Sequence, residues 1–282
     1  MRYKDSLLVL TTYPEPTPVA AIDDAVAIAE ALGSKLSAVA CSVKLRTPGS
    51  LFADMLIDIP AMTAAEFEKS ATAAEQLLAA FRSTAEKHDV FQQVIAESGG
   101  AAEVPEIIVD HARLHDLSIV PVPSGELIDP WYAEAVIFGA GRPVMVMPQT
   151  RRTGRPFSLG TAVVAWDFSR PAARAVADAL PILKRMQRVH VLTVTSEKEI
   201  KTRQSAAALA AHLARHGVEV VLDSVDAGGR RIGTLMEAHV QACGADLLVM
   251  GAYGHSRVRQ FILGGATRSM LQRPPVPVLL SH

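Results

Sequence analysis

GTAVVAWDFSRPAARAVADALPILKRM, residues 160–186, is the stretch that decides the fold. Its first eight residues, up to Asp167, make a short apolar run suited to a buried strand. From Pro171 onward the apolar residues recur at helical spacing. A strand feeding directly into a helix is half of a βαβ unit, in which successive strands lie parallel.

The alternation extends in both directions. Toward the carboxyl end come the strand VHVLTVT (189–195), the helix SAAALAAHLARHG closed by Gly217 and the strand VEVVLDSV. The helix RRIGTLMEAHVQACG follows, then the strands DLLVM and PVPVLL. Toward the amino end, SLLVLTT (6–12) is a strand, AAIDDAVAIAEAL (20–32) a helix ending at Gly33, and KLSAVACSV (35–43) a strand. A long helix over residues 62–88, the strand QQVIAES, a helix over 103–114, and the strands SIVPV and PVMVM complete this half.

Each half therefore reads βαβαβαβαβ, and the ends align. Asp116-Leu117 matches Asp246-Leu247, and Arg142-Pro143-Val144-Met145-Val146 matches the region around Pro275–Val278. An internal duplication is expected. The fold class is α/β: two tandem Rossmann-like domains over residues 1–150 and 158–282. Each is an open parallel five-stranded sheet with helices on both faces. PQTRRTGRPFS (148–158), basic and carrying Pro and Gly between two strands, is the expected linker. PVMVM and PVPVLL are the strands that can pair within one chain, making a pseudo-dimer, with a homodimer a further option.

Composition narrows the function. Of 282 residues, 49% are apolar and 20% charged, with a formal net charge of −1. This speaks against nucleic acid as a partner. MRYKDSLLVLTTYPEP has too short an apolar core for a signal peptide, and no segment has the ~18 apolar residues of a membrane span. A cytoplasmic location without a membrane partner is expected. Cys41 and Cys243 make no C-x-x-C and read as two buried thiols.

One run points at a ligand. MGAYGHSRVRQFILGGAT (250–267) holds Gly251, Gly254 and Gly264-Gly265, spaced G-x2-G-x9-G-G. Glycines just past a buried strand and again at the start of a helix let backbone N–H groups close around a phosphate. The pattern resembles the universal stress protein family, whose nucleotide-binding members carry G-x2-G-x9-G-[ST] between the fourth strand and the last helix. Gly251, Gly254 and Gly264 fall on its glycines, and VVAWDFSRPAARAV resembles its first strand and helix, with Asp167 closing the strand. The likeness covers nearly all of residues 158–282 by motif, and residues 1–150 by architecture.

The resemblance implies two adenine nucleotide alpha hydrolase-like domains and a stress-response or regulatory role with an unknown protein partner. It implies ATP, ADP or AMP as ligand, with Mg²⁺ as a companion. By similarity, Asp167 engages the ribose, and Val194 and Met250 flank the adenine. The N–H groups of Gly254, Gly264, Gly265, Ala266 and Thr267 surround the phosphates, with the Thr267 hydroxyl adding a bond and Arg257 or Arg259 adding charge. Gly265 stands where the family has Ser or Thr, losing a hydrogen bond worth ~1.5–3 kcal/mol, roughly ten- to a hundred-fold in affinity. In the first half Pro121, Ser124 and Thr12 replace Gly251, Gly254 and Asp167, and Gly264 aligns near Tyr132, so no nucleotide is expected there. Alternatives are a protein-interaction module that has lost nucleotide binding in both halves, or a slow nucleotide hydrolase.

No catalytic or metal-binding set stands out. His255-Ser256 is not a triad, and no G-x-S-x-G, H-E-x-x-H or Walker motif occurs. The pairs His111/His115 and His212/His216, and Asp23-Asp24, read as solvated helix faces. His190 reads as structural. The apolar stretch RTPGSLFADMLIDIPAM (46–62) is a lid, a partner surface or interdomain packing.

Overall fold

The computed structural model describes residues 3–45, 59–123, 125, 131–150, 156–195, 204–252 and 265–282. In the first half the elements are β1 (Asp5–Leu10), α1 (Val19–Leu32), β2 (Lys35–Lys44), α2 (Ile59–Lys87), β3 (Phe91–Gly100), α3 (Val104–Arg113), β4 (Leu117–Val122), α4 (Trp131–Gly139) and β5 (Val144–Pro148). In the second they are β6 (Thr161–Ala165), α5 (Arg170–Leu183), β7 (Arg188–Thr195), α6 (Ala206–Arg215), β8 (Val220–Asp226), α7 (Ile232–Ala242), β9 (Leu247–Gly251), α8 (Gly265–Gln272) and β10 (Val278–Ser281). The βα alternation is as expected in both halves.

All ten strands join one sheet in the order β3-β2-β1-β4-β5-β10-β9-β6-β7-β8. Within each half the strands are parallel. At the middle, β5 and β10 pair antiparallel, with Val146 opposite Val278 and Val144 opposite Leu280. The two strands thus pair within one chain. This seam makes the carboxyl ends of the two parallel sets point to opposite ends of the sheet.

Helices cover both faces. Buried residues of α1, α2, α5 and α6 pack on one face; those of α3, α4, α7 and α8 pack on the other. Inner strands are buried on both sides, which is why β4, β6 and β9 read as unbroken apolar runs. Local chemistry sets the helix ends. Gly33 closes α1 in the left-handed conformation at φ +68°, its N–H donating to the Glu30 carbonyl at 3.0 Å. Ser169 caps α5, its hydroxyl accepting from the Ala172 N–H at 3.2 Å.

The duplicated Asp-Leu pairs do the same work twice. Asp116 Oδ2 accepts from the Lys4 N–H at 2.9 Å, and Asp246 Oδ2 accepts from the Thr161 N–H at 2.9 Å. Each carboxylate ties the start of one strand to the start of its neighbour. The ladders also correct one equivalence. Ser6 faces Leu117 as Ala162 faces Leu247, so the counterpart of Asp167 is Thr11, one residue before the expected Thr12.

Other differences have physical causes. WYAEAVIFG forms α4, the fourth helix of the βα alternation, whose residues the sequence left unassigned because they are mostly apolar and show no stripe. β1 and β6 end before Thr12 and Asp167. Asp24 and His115 are buried instead of solvated: the α1 face carrying Asp24 turns inward, and His115 Nδ1 lies 2.8 Å from the His111 carbonyl. Cys243 is half-buried where a buried thiol was expected, while Cys41 is buried as read. The linker's residues 151–155 and the apolar stretch's residues 46–58 lie outside the described residues. No described helix is long and apolar enough to cross a membrane.

The halves also touch through side chains. Arg185, just past α5, donates to the Leu32 and Ala31 carbonyls at 2.7 and 2.6 Å, capping the open end of α1. Arg185→Ala is expected to cost about 1 kcal/mol of stability, read by urea denaturation, with Arg185→Lys recovering only part of it.

Candidate functional site

In the second half, β6 leads to β7 and β8 on one side and to β9 and β10 on the other. The chain direction therefore switches between β6 and β9, where an open α/β sheet presents a crevice beyond its carboxyl ends. Asp167 lies two residues past β6, Val194 is the penultimate residue of β7, and Gly251 ends β9. The fold brings these three onto adjacent strands at the same end.

Asp167 is held by the turn that starts α5. Its Oδ1 accepts from the Ser169 N–H at 3.0 Å. Phe168 between them has φ +62°, a left-handed conformation that is uncommon for a bulky residue. The reversal delivers the carboxylate at the strand end. Trp166 packs against Phe168 with ring centroids 5.6 Å apart, and its backbone N–H donates to the Leu192 carbonyl at 2.8 Å.

Gly251 has a structural reason of its own. A Cβ there would stand 2.5 Å from both the Ala172 nitrogen and the Pro171 carbonyl carbon, in the first turn of α5. The glycine lets β9 and α5 approach. Gly265 is the reverse case: it opens α8, and among the described residues a Cβ would meet nothing within 4 Å. Ala266 and Thr267 follow in the same first turn, where N–H groups lack helical partners and the dipole favours an anion. The Thr267 side chain is buried, as is that of Met250, while Val194 is half-buried. Gly254, Gly264, Arg257, Arg259 and the His255-Ser256 pair lie outside the described residues.

In the first half, hydrogen bonds gather the strand ends one residue past Thr11, the counterpart of Asp167. The Thr12 hydroxyl lies 2.7 Å from the Ser70 hydroxyl and donates to the Cys41 carbonyl at 2.6 Å. Ser70, on the long helix α2, also accepts from the Val43 N–H at 2.9 Å, closing the carboxyl ends of β1 and β2. Cys41 is the ladder equivalent of Val194. Burial, and then Glu97, push its thiol up to about 12. Tyr132 of α4 is buried, and its phenol is raised by burial and then by Cys41. Pro121, buried in β4, occupies the Gly251 position.

The histidine pairs separate. His111 Nε2 meets Glu97 Oε1 at 3.0 Å, and His115 Nε2 lies 3.8 Å from Asp5 Oδ1. His212 and His216 stack edge-on on α6, centroids 4.9 Å apart. His190 and Cys243, read singly in the sequence, come together with Asp223 and His239. Only the i,i+4 spacing of His239 and Cys243 was visible beforehand.

The Universal stress protein family model matches residues 159–282. A universal stress protein of Synechocystis is 50% identical over 34 residues, a segment covering 12% of this chain and 12% of that protein. A universal stress protein structure from Archaeoglobus fulgidus superposes with a TM-score of 0.70 at 17% identity, covering 98% of this chain and 97% of that one. A putative universal stress protein from Pseudomonas aeruginosa gives a TM-score of 0.56 at 16% identity over 99% of this chain and 93% of its own. At these identities the structures speak to the fold alone.

Proposed function

We propose that this chain, whose residues 159–282 belong to the universal stress protein family, is a tandem regulatory protein with one adenine-nucleotide site. The domains run over residues 1–150 and 158–282. ATP, ADP or AMP lies across the carboxyl ends of β6, β7 and β9, and Mg²⁺ enters with the nucleotide. Asp167 faces the ribose, Val194 and Met250 border the adenine, and Gly251 shapes the floor. The backbone of Gly254, Gly264, Gly265, Ala266 and Thr267 surrounds the phosphates.

The observation that carries this reading is the convergence of Asp167, Val194 and Gly251 at the switch point between β6 and β9. The first half acts as a partner-facing scaffold, because Thr12, Ser70 and Tyr132 occupy the matching space. Nucleotide occupancy then tunes binding to a cytoplasmic partner. In this reading the nucleotide is sensed, and any hydrolysis is slow.

Equilibrium dialysis with ATP and AMP tests the site. One nucleotide per chain is expected, lost in Asp167→Ala and in Gly254→Val and Gly264→Val. Undetectable binding of both nucleotides by the native chain would leave the protein-interaction reading in its place.

A further inference from the structure

We propose that His190, Asp223, His239 and Cys243 form a structural Zn²⁺ site that pins the edge strand β8 to α7. The four donor atoms all lie within 4.8 Å of one another. His190 comes from β7, Asp223 from β8, His239 from the last turn of α7 and Cys243 from the C-cap position just past it. Two imidazole nitrogens, one thiol and one carboxylate are a donor set that suits Zn²⁺, and four protein ligands close the tetrahedron.

The spacing is near that of a coordination sphere. His190 Nδ1 is 2.7 Å from Asp223 Oδ2, His239 Nε2 is 3.1 Å from the same oxygen, and Cys243 Sγ is 3.4 Å from His239 Nε2. Bonds of ~2.0–2.3 Å in a tetrahedron set neighbouring donors roughly 3.3–3.8 Å apart. Moving from the observed distances to that range takes side-chain shifts of about 1 Å or less for most pairs.

Hydrogen bonding alone fits this arrangement poorly. His239 Nε2 faces both the carboxylate oxygen and the sulfur, and a single N–H cannot point along both directions. A lone pair on Nε2 directed at a shared cation serves all three atoms at once. Thiolate and carboxylate together balance a divalent cation, leaving a neutral centre in a half-buried place, with His190 and His239 side chains 17% and 16% exposed.

The fold does not require these residues. Carried through the ladders and the Asp116/Asp246 match, their first-half counterparts are Ser37, Ile95, Val109 and Arg113. The first half builds the same strands and helix without the cluster. In the second half it reinforces an edge strand that exposes Val221 and Leu222. His190 and Val194 are about 13 Å apart along β7, and the cluster lies toward the amino end. The metal site is therefore separate from the proposed nucleotide site, and either can fail alone.

The test is a Co²⁺ titration of the chelator-treated full chain, without nucleotide. The expected result is one Co²⁺ per chain, with intense tetrahedral d–d absorption and a near-ultraviolet thiolate-to-cobalt band, both abolished by one equivalent of Zn²⁺. Cys243→Ser loses the charge-transfer band, His239→Ala loses the tetrahedral bands, and Cys41→Ser keeps both. Zn²⁺ at a hundred-fold excess over its Kd raises the native Tm by roughly 5 °C and that of Cys243→Ser by less. Weak octahedral absorption from the native chain overturns the proposal, and so does a charge-transfer band that survives in Cys243→Ser. If a variant does not fold, the native spectrum and its stoichiometry still decide.

Discussion

Gly251→Val is expected to destabilise the chain by about 3 kcal/mol or more, read as a fall in the urea midpoint at unchanged slope. The Cβ alone would be 2.5 Å from two backbone atoms of Pro171 and Ala172. Neither can rotate away, so β9 and α5 must separate by nearly 1 Å to reach van der Waals contact. That separation opens the core cluster that holds Val249 of β9 with Ala175 and Ala179 of α5, all fully buried. Valine adds two methyl groups to the clash, so alanine should cost less but remain clearly destabilising. A Gly251→Ala variant within 0.5 kcal/mol of the native chain would mean that α5 yields easily at its first turn.

Gly265→Ser should act in the opposite sense, tightening ATP binding roughly ten- to a hundred-fold. Among the described residues its Cβ meets nothing within 4 Å, so none of them obstructs the substitution. The hydroxyl restores a charge-assisted bond to phosphate at the start of α8, where the dipole already favours an anion. Gly265→Ala separates this from the gain in helix propensity, which changes stability but supplies no hydroxyl. Isothermal titration of the three proteins with ATP gives the comparison. Equal affinities for serine and alanine would place the phosphate beyond reach of this position.

The contrast between these two glycines marks the limit of what the sequence carried. Strand and helix alternation was legible because inner strands are apolar throughout and most helices keep a stripe. Gly33 and Gly217, at φ +68° and +77°, ended helices where expected because glycine adopts that backbone without the steric cost a Cβ carries. The motif placed Gly251 and Gly265 in one ligand cradle, yet Gly251 is also demanded by helix-on-strand packing, a contact between segments far apart in the chain. The alternation called for α4, but its residues went unassigned because it has no polar face to set a period. The equivalence of Asp167 slipped by one residue because ladder register, not loop length, fixes it.

The His190, Asp223, His239 and Cys243 cluster was harder still. Its members come from two strands and a helix, and only a parallel crossover with the observed register brings them together. Read one at a time, a strand histidine and a small thiol have ordinary structural uses. Among the described residues the cluster became visible only when the βαβ unit closed.

The antiparallel seam also has a consequence in time. During synthesis β5 is made with the first half, whereas β10, its partner, emerges after the whole second half. Until then β5 is a bare edge of five unbroken apolar residues, open to pairing with any nearby nascent chain. The last strand is thus a latch that retires this hazard, and shortening the chain before Val278 should turn a well-behaved protein into one that aggregates.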